Sequence, residues 1–120
     1  FLAMSRQGLP IQSNSPDGQA RILSWMEASD QATVARAMGE VMSTDFSPVL
    51  PDVAVPVSVI LGWSEGMPVD APALESLYTD QYAGLDSVEF HTIDGARHFV
   101  MLDQPEAFHA VLAPLVTGGN

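Results

Sequence analysis

Apolar residues recur along the chain in short runs, and their spacing changes character near residue 44. Residues 1–16 read as loop, because Gly8, Pro10, Asn14, Ser15 and Pro16 punctuate them repeatedly. A first helix is predicted over 17–28, with Asp17 as N-cap and Ile22, Leu23, Trp25 and Met26 on its apolar side. A second is predicted over 30–42, capped by Ser29 or Asp30, with Val34, Met38, Val41 and Met42 at helical spacing. From 45 to 56 the prolines Pro48, Pro51 and Pro56 break any regular element and lead into the β-branched run Val57-Ser58-Val59-Ile60-Leu61. That run reads as a strand buried on both faces.

After a loop over 62–71, Leu74, Leu77, Tyr78 and Tyr82 mark a helix over 72–83, with Asp70 to cap it and Pro72 in its first turn. A second strand follows over 87–93, then a tight loop over 94–98. A last helix is signalled by Asp103-Gln104-Pro105-Glu106, an acidic cap with Glu at the reciprocal position, and it closes at Gly118-Gly119. Residues 46–120 thus read strand, helix, strand, helix, the order of a parallel α/β sheet. Two parallel strands are marginal in water, so the pattern itself calls for further strands from an N-terminal part or from another chain.

Charge narrows the function. The chain of 120 residues has 15 acidic side chains against four basic ones, all arginine, for a net charge of −11. So acidic a molecule lacks the basic patch that nucleic acid demands, and it lacks a polybasic membrane anchor. At 47% hydrophobic and 16% charged it is globular in composition, and no apolar run is long enough to span a bilayer. There is no cysteine, and His91, His98 and His109 lack the spacing of a zinc site. The opening Phe1-Leu2-Ala3-Met4 has no initiator methionine and none of the features of a signal peptide. The expectation is a cleaved or truncated start, and a cytoplasmic rather than secreted location.

One histidine stands where chemistry is done in α/β folds. His98 lies on the loop just past the second strand's C-terminal end, the crevice in which open sheets place their ligands and catalytic groups. The stretch from Ile93 to Phe108 resembles the C-terminal block of the α/β-hydrolase superfamily, G-x-x-H-F-x-x-L-x-Q-P-x-x-F. Gly95, His98, Phe99, Leu102, Gln104, Pro105 and Phe108 fall on that pattern. Upstream, Thr44-Asp45-Phe46-Ser47-Pro48-Val49-Leu50 followed by Val55-Pro56-Val57 is similar to that family's return from cap to core, so the resemblance covers 44–116. It implies the C-terminal part of an α/β-hydrolase fold, with 1–43 a helical cap or lid segment and 44–120 the end of the core. Under the cap, Trp25, Met26, Met38 and Met42 would line an apolar acyl pocket or simply pack onto the core.

The same resemblance implies hydrolysis of a small-molecule ester or related acyl bond, with His98 as base and then acid, and no metal or organic cofactor. The literal G-x-S-x-G at Gly62-Trp63-Ser64-Glu65-Gly66 fails as a nucleophile elbow, because Gly66, Met67 and Pro68 follow where a helix should begin. The nucleophile is therefore expected from an N-terminal portion of the same hydrolase, either a separate cleaved chain or a part not included in this sequence. Residues 62–72 resemble the family's W-G-x-x-D-P loop, but Met67 occupies the acid's place. Glu65 is the first substitute, Asp70 the second, and an acid outside this chain the third. Asp94 is expected to bond its own turn, and Arg97 either to meet an anionic substrate or to pair with a surface carboxylate. Two alternatives stay open: an aspartate nucleophile, as in a dehalogenase or epoxide hydrolase, and a hydrolase-like scaffold that binds without turnover.

Overall fold

The computed structural model describes residues 6–118, so the Phe1–Met4 opening and Gly119 lie outside the described residues. Its elements are α1 (Leu9–Gln12), α2 (Pro16–Ala28), α3 (Gln31–Ser43), a 3-10 turn (Ser47–Asp52), β1 (Val57–Trp63), α4 (Ala71–Gln81), β2 (Val88–Asp94), α5 (Val100–Asp103) and α6 (Pro105–Val116). The fold is mixed α/β. β1 and β2 form a two-stranded parallel sheet, in register from Val57 opposite Val88 to Trp63 opposite Asp94, with α4 as the crossover between them. No helix among the described residues is long and apolar enough to cross a membrane.

Local chemistry explains most boundaries. Asp30 and Asp70 cap α3 and α4 through the backbone N–H of Thr33 (2.8 Å) and Ala73 (2.9 Å). The predicted cap of α2 is displaced: Ser15 accepts the Gly18 N–H at 2.8 Å, Pro16 takes the first helical position, and Asp17 falls in the first turn. The stretch read as loop contains α1, which buries Leu9 and ends by offering the Gln12 carbonyl to the Phe99 N–H at 2.9 Å. That tertiary contact, absent from local sequence, overrides the breaker residues. Asp103 caps nothing. It ends α5, and Gln104 stands at the N-cap of α6 without a side-chain bond.

The expectation of a fully buried strand is also corrected. In β1 only Leu61 is buried, Ser58 is exposed, and the other positions are half-covered. The reason is architectural: each strand has one partner, so each keeps an open edge. The core is small, built on Ile93, Ala96 and Val100 with Ile60, Phe108 and Val111 packed against them. Meanwhile Met42 (81% exposed), Phe46, Val49 and Val55 line open surface between α3 and β1. The radius of gyration, 16.0 Å, exceeds the roughly 13.5 Å of a compact domain of this length.

Gly62 shows how tightly the end of β1 meets the histidine loop. A Cβ there would lie 2.3 Å from the Arg97 carbonyl oxygen, which is backbone and cannot swing aside. Gly62→Ala is therefore expected to cost about 2 kcal/mol or more. Gly39→Ala, in open space on α3, is expected to add about 0.5–1 kcal/mol. Urea unfolding of the two variants against the parent checks both signs.

Candidate functional site

The loop that carries His98 begins at Gly95, whose φ of +76° is the left-handed conformation that glycine adopts without strain. Its carbonyl accepts from the side-chain amides of Asn14 (3.0 Å) and Gln104 (3.3 Å). Ala96 is wholly buried and its N–H donates to the Trp63 carbonyl (3.1 Å), tying the loop to the end of β1. Asp94 is exposed and makes no side-chain hydrogen bond among the described residues. The turn bonds expected of it come from Asn14 and Gln104 instead.

One carboxylate organises the segment. Asp103 accepts the Ser13 hydroxyl at 2.5 Å, the Asn14 N–H at 3.0 Å on both oxygens, the Ser15 N–H at 3.3 Å and the Arg97 N–H at 2.8 Å. It thereby joins the α1–α2 corner to the residue just before His98. Burial pushes this carboxyl up, but the bonds from Ser13, Asn14, Arg97 and Ser15 outweigh it and hold it below the usual carboxylate range. Sequence reading assigned Asp103 to helix capping and the Ser13-Asn14-Ser15 run to loop. The recoverable signal was Ser15 directly before Pro16, the N-cap and first position of a helix.

His98 itself is exposed and lines two cavities. One, about 530 Å³, lies beneath α2 and α3 and is walled by Ile22, Trp25, Met26, Val34, Met38 and Phe99. Trp25, Met26 and Met38 thus face the histidine across an apolar space, whereas Met42 is outside it. The rings run in contact from α2 to the histidine loop, Trp25 to Phe99 at 6.0 Å and, edge to face, Phe99 to His98 at 5.2 Å. The other cavity, about 500 Å³, opens over the end of β1 against Gly62, Gly66, Met67, Pro68 and Arg97.

The carboxylates are less well gathered. Glu65 is exposed, and its side chain forms no hydrogen bond or ion pair with His98 among the described residues; its backbone carbonyl accepts from Arg97 instead. Asp70 is committed to α4. Ser64 directly follows β1 and enters a hydrogen-bonded turn, Met67 N–H to Ser64 carbonyl at 3.2 Å with Gly66 at φ +84°, so no helix begins there. Its Oγ is buried without a hydrogen-bond partner, and its N–H faces the Met67 sulfur at 3.4 Å. His91 pairs loosely with the exposed Glu89 at 3.8 Å and His109 is exposed on α6. No cluster of metal-ligating side chains occurs among the described residues.

Because the Asp103 carboxyl has a lower pKa folded than unfolded, it adds stability above its ordinary value of 3.8, and that contribution fades as the pH falls through the lowered folded value. Asp103→Asn is expected to cost about 2–3 kcal/mol at neutral pH, since an amide would face four donors. Urea melts at neutral pH and at about pH 3 should show the gap between parent and variant narrowing in acid.

Compared with known protein families, with curated proteins and with solved structures, the chain matches none.

Proposed function

We propose that this chain is the histidine-bearing part of a hydrolase acting on small-molecule esters or related acyl compounds. The observation that carries the reading is the position of His98: past the C-terminal end of β2, on a loop clamped by Asp103, facing an apolar cavity beneath two helices. An imidazole so placed can take a proton from an attacking hydroxyl and return it to the leaving group. The cavity offers room for an apolar acyl or alcohol group beside it. The sequence resemblance of residues 93–108 to the α/β-hydrolase histidine block supports the same assignment by analogy.

The nucleophile and the oxyanion donors belong, in this reading, to a polypeptide segment outside these 120 residues, which would also cover the open sheet edges and the apolar surface around Phe46 and Val55. Ser64 is unsuited to attack: its Oγ is closed off from solvent and no helix follows it. Among the carboxylates of the loop after β1, Asp70 is bound to a helix end, which leaves Glu65 as the orienting acid. Its turn is held to Arg97, the neighbour of His98. A catalytically silent binding scaffold is the second reading, favoured by Met67 in the acid's place and by the lack of any carboxylate on His98.

Replacing His98 with Ala is expected to lower hydrolysis of p-nitrophenyl butyrate at least about a hundred-fold. A fluorophosphonate probe followed by intact-mass measurement should label a co-purifying polypeptide and leave this chain unmodified. An unchanged rate in His98→Ala would favour the scaffold, and an adduct on this chain would make Ser64 the nucleophile.

A further inference from the structure

Arg97 directly precedes His98 and lines the same cavity over the end of β1. With 15 carboxylates in the chain, a surface arginine has many partners to choose from, and Arg6 takes one, bonding Glu27 at 3.0 Å. The Arg97 guanidinium takes none among the described residues, the Asp103 carboxylate being bonded to its backbone N–H instead. Its Nε donates to the Asn14 side-chain carbonyl at 3.0 Å and its Nη2 to the Glu65 backbone carbonyl at 3.4 Å. Both acceptors are neutral, so they fix the position of the guanidinium without cancelling its charge. Of its five N–H donors, three remain, including both on Nη1. Arg21 and Arg36 likewise form no ion pair among the described residues, but they are exposed on α2 and α3, whereas Arg97 is half-buried beside the candidate catalytic group.

A half-buried cation held in place by neutral groups is ready for an anion, and its planar fork suits a carboxylate. The field of the whole chain narrows the choice further. At a net charge of −11, a multiply charged ligand is repelled in proportion to its charge, while a single carboxylate is matched by the one guanidinium. On the other side of His98 the cavity walled by Trp25, Met26 and Met38 accepts apolar bulk.

We infer that Arg97 is a specificity-determining residue that binds a single carboxylate on the substrate, so the preferred substrates are monoanionic esters, such as half-esters of dicarboxylic acids. This rests on the hydrolase reading of His98 for its catalytic consequence, but not for the anion site itself.

A matched pair of substrates separates charge recognition from mere structural support: the mono-p-nitrophenyl ester of glutaric acid and p-nitrophenyl pentanoate, of equal acyl length. Arg97→Gln is expected to raise KM about ten-fold for the glutaric ester and to leave the pentanoate ester within about two-fold, with Arg97→Lys recovering part of the loss. A parallel loss on both esters would mean that Arg97 only braces Asn14 and the Glu65 turn, and would overturn the inference. Binding is read independently of turnover from the Nε–H NMR resonances of the arginines, assigned with Arg97→Gln. Titration with pentanoate should move the Arg97 signal and leave Arg21 and Arg36 in place, and pentanamide should move none. If a preparation that holds the probe-labelled nucleophile polypeptide together with this chain hydrolyses neither ester, and Arg97 still responds selectively to pentanoate, the hydrolase reading falls and the anion site stands. If Arg97 responds no more than Arg21 and Arg36, the anion site falls whatever the hydrolysis.

Discussion

The carboxylate of Asp103 is the point on which the candidate site depends. Four donors converge on it from segments that are distant along the chain, Ser13, Asn14 and Ser15 on one side and Arg97 on the other. Charge-assisted bonds of this kind are shorter and stronger than neutral ones, and three of the four donors are backbone N–H groups. Because the Arg97 N–H is among them, the clamp holds the backbone one residue from His98. Because Ser13 to Ser15 are the others, it also sets where α2 starts. The histidine loop and the helices above it are therefore positioned by the same group.

Around that clamp the loop is over-determined. Ala96 bonds the end of β1, Phe99 bonds the end of α1, and the Gly95 carbonyl receives Asn14 and Gln104. Gly62 leaves just enough room for the Arg97 carbonyl to lie against the strand. The backbone on either side of His98 is held this way, while the His98 side chain itself is exposed, with an apolar cavity on one side and a more polar one, bearing Arg97, on the other.

The rest of the molecule contrasts with this. The sheet has two strands, the core few fully buried apolar residues, and the segment from Met42 to Val55 presents large side chains to solvent. That exposed apolar surface is what the further segment of the proposed reading would cover. The tightly bonded loop thus stands against a loosely covered scaffold.

Much of this was legible from local sequence. The parallel β-α-β order, the caps at Asp30 and Asp70, the loop position of His98, and Trp25, Met26 and Met38 on the apolar sides of their helices follow from periodicity, capping chemistry and turn residues, which act over a few positions. Those rules also explain why Ser64, followed by Gly66 and Pro68, does not lead into a helix. Tertiary structure alone decided the role of Asp103, whose donors are mostly more than 80 positions away, and turned Ser13-Asn14-Ser15 from loop into anchor. It alone decided that the Arg97 guanidinium forms no ion pair among the described residues, although the composition made one statistically easy to find. The reason is the same in each case: hydrogen bonds and charge pairs between distant segments depend on how the chain is brought together in space, and a linear pattern encodes only the neighbours along it.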